Sequence, residues 1–163
     1  MDKMDDEADP MTPTLYGRWQ TRWFLLITVG FPITFILLGL HLLNTSSNTE
    51  VYFWVIGYLG LFGIFWDILY DRLQQLMWDH DWPGLFQFFA NVAEGVFFLL
   101  INPILLGLHV PGIPSNGIDI QSFVLQYVVV SIAIYILSWV IMRLLFPRWR
   151  FRGGEWLGKW KRD

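Results

Sequence analysis

The chain has 163 residues, 55% hydrophobic and 18% aromatic but only 15% charged, with a mean hydropathy of +0.44. A soluble domain carries about 25% charged residues, so this deficit, together with ten Trp and fourteen Phe, points to lipid as the solvent. The absence of Cys excludes disulfides, thiolate metal sites and cysteine nucleophiles, and the net charge of -3 conceals a segregation of charge along the chain.

Residues 1–14 form an acidic tail. Asp2, Asp5, Asp6, Glu7 and Asp9 crowd a stretch poor in apolar residues, which predicts disorder. It does not read as a signal peptide: its basic start is weak, and the first apolar run is too long and begins too late. Leu15 to Arg22 is an aromatic and basic lead-in. Trp23 to Leu43 is then uncharged apart from His41, and about 21 helical residues span a hydrocarbon core of roughly 30 Å. Pro32 falls mid-span. It has no N–H for the carbonyl of Thr28, which predicts a kink. Residues 44–50 read as a polar turn.

The second span is 51–70. Gly57, Gly60 and Gly63 recur every third residue, and Gly60, Gly63 and Asp67 share a face on which small residues admit another helix. The spacing of Leu69, Leu73, Leu76 and Met77 carries this helix a turn or two further. Trp78 to Pro83 makes a turn, with Pro83 suited to a first helical turn. The third span is 85–108. Residues 109–120 carry Pro111, Gly112, Pro114 and Gly117 and read as a loop. The fourth span is 123–146, ended by Pro147. The chain thus divides into a tail (1–14), an all-α four-helix transmembrane domain (15–146) and a basic aromatic tail (147–163).

Orientation follows from the basic residues. All eleven Lys and Arg fall before the first span, in the connection between spans two and three, or from Arg143 onward. The connections 44–50 and 109–120 contain none. The positive-inside rule then places both termini in the cytoplasm, which requires an even number of spans. Trp19, Trp23, Trp66, Trp78, Trp82 and Trp149 would form an aromatic belt at that interface.

The stretch from Trp66 to Glu94 holds five of the fourteen acids: Asp67, Asp71, Asp79, Asp81 and Glu94. Asp67 and Glu94 lie inside spans, where an ionisable residue marks a functional candidate. Gln87, Asn91, Glu94 and Asn102 gather on one side of the third helix at about 100° per residue. Tyr127, Ser131 and Ser138 line the fourth. Ser138 and the freed carbonyl near Thr28 and Pro32 are expected at nearly the depth of Glu94, roughly 12 Å inside the cytoplasmic end. One reading is a proton or cation relay through Asp71, Asp67 and Glu94. The other keeps Glu94 protonated and hydrogen-bonded between helices, fixing their packing. Above Glu94 a relay finds only Asn102 and hydroxyls, with no further acid.

A third reading gives Asp79, His80 and Asp81, with Asp67 and Asp71, to a divalent metal. There is no HExxH pair to support it, and Asp71 has Arg72 or tail arginines as alternative partners. Arg148, Arg150, Arg152, Lys159 and Lys161, interleaved with Trp149, Trp156 and Trp160, suit anionic lipid headgroups. The run is short and beside a membrane, which argues against nucleic acid. No cofactor is implied.

The segments Trp66-Asp67-Ile68-Leu69-Tyr70, Trp78 to Pro83, Phe86-Gln87, Glu94-Gly95 and Leu145 to Gly154 resemble an uncharacterised family of bacterial four-span integral membrane proteins of actinobacteria and cyanobacteria. The resemblance covers Leu15 to Gly154 and implies an architecture, not a mechanism. The expected protein is therefore a plasma-membrane one, or a thylakoid one in a cyanobacterium. Its expected role is a non-enzymatic structural or assembly subunit that contacts lipid, another membrane protein or itself. Ion translocation and a metal-dependent membrane enzyme are the alternatives.

Overall fold

The computed structural model describes residues 14–44, 48–76, 84–114 and 117–141, and all regular structure among them is helical. The first helix, α1, runs Leu15–Gly39. It opens where Thr14 turns extended and its Oγ1 accepts a hydrogen bond from the Gly17 N–H at 3.0 Å, the usual way of satisfying a helix's first donors. It closes at Leu40, and His41 follows with a φ of 54° that turns the chain away. The helix begins eight residues before the expected span (15 against 23) and ends four short of it (39 against 43). Arg18 and Arg22 are therefore part of the helix rather than a lead-in. The cap at Thr14, not the edge of the apolar run, decides where it starts.

The irregularity expected at Pro32 takes the form of a π turn over Leu26–Gly30, in which the Phe31 N–H bonds to the Leu26 carbonyl five residues back. The α-helix resumes at Phe31 with Pro32 in its first turn, where the missing N–H costs least.

The second helix, α2, covers Val51–Leu76. At 1.5 Å per residue its 26 residues reach about 39 Å, longer than a hydrocarbon core, as the spacing of Leu73 and Leu76 anticipates. The third, α3, covers Gly84–Gly107 and holds Pro103 within it. The fourth, α4, covers Ile120–Ile136 and is followed by a second π turn, Leu137–Ile141. Asp119 caps α4 by accepting from the Ser122 N–H at 2.9 Å. Burial is absent at Asp119, and the bonds from Ser122 hold its carboxyl below the ordinary value.

Among the described residues three helices are long and apolar enough to cross a membrane: Leu15–Gly39, Val51–Gln74 and Leu85–Gly107. Ile120–Ile136 is apolar but shorter. The helices pack as a ring, α1 on α2, α2 on α3, α3 on α4 and α4 back on α1. The apolar core lies toward the end carrying the connections after α1 and α3. It is built from Leu37, Val51, Tyr52, Val55, Phe98, Leu105, Ile118 and Phe123, with the rings of Phe98 and Phe123 stacked at 5.0 Å. The outward faces are apolar too: Phe35 and Leu100 are each 72% exposed. In water such surface would be an aggregation liability; toward lipid tails it has no cost.

Neutral polar ties close the core end. Gln126 Nε2 donates to Thr34 Oγ1 and to the Tyr52 carbonyl, each at 2.9 Å, so one α4 side chain joins α1 and α2. The Tyr52 hydroxyl donates to the Asn44 carbonyl at 2.7 Å, and the Asn44 N–H to Ser122 Oγ at 2.9 Å. The loop after α3 lies down on α2. The Tyr58 hydroxyl donates to the Pro111 carbonyl at 2.7 Å, and Gly112, with φ of 80°, sits where a Cβ would overlap the Trp54 indole.

Candidate functional site: a charged node joining three helices

The acids at Asp67 and Glu94 meet across Arg22. Arg22 Nε donates to Asp67 Oδ2 at 2.9 Å and Nη2 to Asp67 Oδ1 at 2.7 Å. From its other edge, Nη1 donates to Glu94 Oε2 at 2.9 Å and Nη2 to Glu94 Oε1 at 3.1 Å. One guanidinium from α1 thus makes a bidentate contact with α2 and another with α3, the planar geometry for which Arg is suited and Lys is not. The side chains are 20% exposed for Arg22, 7% for Asp67 and 8% for Glu94. These are buried ion pairs whose partners depend on one another.

Glycine makes the approach possible. A Cβ on Gly63 would overlap the Arg22 guanidinium, and one on Gly60 would come within 2.8 Å of the Trp23 ring. The face of Gly60, Gly63 and Asp67 therefore receives α1, as the spacing anticipates. Gly57, grouped with them in the sequence, faces open space.

Around the node lies a belt of hydroxyls and amides. Arg18, one turn before Arg22, hydrogen-bonds Gln74, and both Asp67 and Asp71 attract it. The Tyr70 hydroxyl of α2 donates to the Ala90 carbonyl at 3.3 Å, and the Tyr127 hydroxyl of α4 to the Asn91 carbonyl at 2.5 Å. Those two carbonyls sit one turn before Glu94 and Gly95, so α3 is gripped from both sides just where its acid is held. Gly95 admits the Tyr127 ring, which a Cβ would meet at 2.5 Å.

Several expected members are elsewhere. Ser138 Oγ donates to the Tyr135 carbonyl of its own helix at 3.0 Å. Because Tyr127 lies over Gly95, Ser138 is eleven residues (138 minus 127) beyond the node, about 16 Å along α4. Thr28 is exposed and donates back to the Phe24 carbonyl at 2.6 Å. Its turn is not level with Glu94, because Arg22 is the α1 residue at that height. Asn102 is eight residues from Glu94 and lines a cleft with Phe98, Leu99, Ile118 and Phe123; its Oδ1 is buried without a hydrogen bond. Gln87 lies two turns from Glu94 on the other side. The polar stripe of α3 is thus spread along the helix rather than gathered at one site. Asp71 lies beside Arg18, and Arg72 is exposed.

The cleft behind Glu94, lined by Leu59, Phe62, Gly63, Trp66, Phe97 and Phe98, has no room for a water molecule. Among the described residues no three His, Asp or Glu stand close enough to hold a metal ion. Asp79, His80 and Asp81 lie outside the described residues, as do Arg148, Arg150, Arg152, Lys159 and Lys161.

Sequence reading missed Arg22. Two acids inside spans require a counter-charge, since unpaired buried charge is costly. Arg22 stands one residue from the apolar run and was the nearest cation to supply it. No protein-family model, curated protein or solved structure matches the chain.

Proposed function

We propose that this chain crosses the inner membrane four times with both termini in the cytoplasm. We propose further that it serves as a non-enzymatic structural or assembly subunit, holding another membrane protein or anionic lipid at its cytoplasmic face. The observation that carries the reading is the closure of the node. Both oxygens of Asp67 and both of Glu94 accept from Arg22. The guanidinium does not release a proton at physiological pH, and the adjoining cleft admits no water. Such a node braces helices. A substrate or a travelling ion would have to dismantle it. α4, with its following turn, supports a fourth crossing. The basic and aromatic tail supports a contact surface at the same face.

The test has two parts. The chain has no Cys, so single cysteines at Asn44, His109 and Arg150 report sidedness without background. Labelling of the first two from outside and the third only after permeabilisation is expected; all three on one side overturns the topology. The full chain, isolated mildly from its own membrane, should retain a defined partner or bound anionic lipid. That retention should fall when Arg148, Arg150, Arg152, Lys159 and Lys161 are changed to Gln. A monodisperse chain with bulk lipid only removes the subunit reading. A liposome proton or cation flux abolished by Glu94→Gln would replace it with translocation.

A further inference from the structure

The π turn of α1 separates its two inward-facing polar anchors, Arg22 on the node and Thr34 on Gln126. They are twelve residues apart. In an uninterrupted α-helix, at about 100° per residue, twelve residues place two side chains about 120° apart. An anchor pair so placed cannot face one bundle interior. Eleven residues place them about 20° apart. A single π turn inside an α-helix bonds i to i+5 and accommodates one surplus residue. Both anchors do face inward, Thr34 at 0% exposure and Arg22 with its guanidinium between two buried acids.

We propose that the π turn is a phase-setting device: it absorbs one surplus residue so that Arg22 and Thr34 share a face. The surplus is dispensable. Thr28, in the middle of the turn, is exposed and bonds only within its own helix among the contacts resolved. Removing it lets Leu26–Gly30 close as ordinary α-helix with the anchors still about 20° apart. Adding a residue there leaves an excess the turn cannot absorb and swings Arg22 about 100° off its acids. Pro32 keeps the surplus on the Arg22 side of Thr34, because it has no N–H with which to bond back into the turn.

The inference does not depend on the proposed role or topology, only on the helix packing. It is tested in the full chain in detergent by thermal unfolding, with Arg22→Met as a reporter of whether the node is intact. The chain lacking Thr28 is expected to fold with a Tm within a few degrees of the parent. Arg22→Met should lower that Tm as much as it does in the parent, a cycle that isolates the node's coupling. The chain with one Ala inserted after Thr28 is expected to lose stability, and Arg22→Met should then cost it nothing further. The asymmetry is the signature. Tolerance of both changes, rejection of both, or a folded deletion variant in which Arg22→Met has no effect each overturns the proposal.

Discussion

Replacing Arg22 with Met removes the guanidinium while keeping a similar chain length. It leaves Asp67 and Glu94, at 7% and 8% side-chain exposure, facing one another without their four hydrogen bonds. Removing one partner of a buried pair costs about 3–5 kcal/mol, because it strands the other charge. The lower end applies here. Arg22 is one-fifth exposed, and stranded carboxyls relieve their charge by taking up protons. A loss of about 3 kcal/mol at neutral pH corresponds to a fall in Tm of roughly 6–12 °C for a domain of this size. Arg22→Lys should fall between parent and Met, since an ammonium cannot reproduce two bidentate contacts. The decisive comparison is the triple variant Arg22→Met, Asp67→Asn, Glu94→Gln. It carries no stranded charge and should recover much of the loss, as apolar or neutral replacements of buried ion pairs often do. Salt should have little effect on any of these, because the pairs are shielded from solvent ions. A loss below about 1 kcal/mol for Arg22→Met, or a triple variant no better than the single one, would show that the node does not brace the helices.

Other outcomes follow from the same geometry. Gly63→Ala should destabilise by pushing on Arg22, and Gly95→Ala by pushing on Tyr127. Gly57→Ala, facing open space, should be neutral or add up to about 1 kcal/mol through helix propensity; parallel thermal melts distinguish the three. Tyr127→Phe should cost about 0.5–1.5 kcal/mol by removing the bond to the Asn91 carbonyl, read in the same melts. Asp119 is held below its ordinary pKa by Ser122, so its contribution is present at neutral pH and is lost as pH falls through the lowered folded value. Protection of the Ser122 and Phe123 amides, taken relative to their intrinsic exchange rate at each pH, should therefore fall in acid, and Asp119→Asn, which keeps the cap, should remove that pH dependence.

The helices are legible from hydropathy and punctuation. The apolar runs, Pro83, and the Pro and Gly residues of 109–120 place α2, α3 and the loop within a few residues. The face of Gly60, Gly63 and Asp67 is legible because small residues next to an acid leave room for something charged to approach. The start of α1 is not, since the hydropathy edge at Trp23 is sharper than the signal of a lone Thr14 cap. The node's cation is hidden by the same edge: an Arg outside an apolar run looks like a topology signal until the helix is known to extend past it. The height of Ser138 is not legible from the span ends, because the stagger of α4 on α3 is set by Tyr127 packing over Gly95. That is a contact between residues 32 positions apart (127 minus 95), on which local pattern is silent.

The tie between Thr34 and Gln126 spans 92 positions of chain. At roughly 5–20 residues per second, a ribosome needs about 5–20 s to travel between them. For that interval the first helix waits in or beside the bilayer with a hydroxyl lacking its mate, and with Arg22 lacking the acids that arrive later. A nascent chain in that position is open to proteolysis and to capture by insertion factors. The last helix is also the bolt that ends the wait.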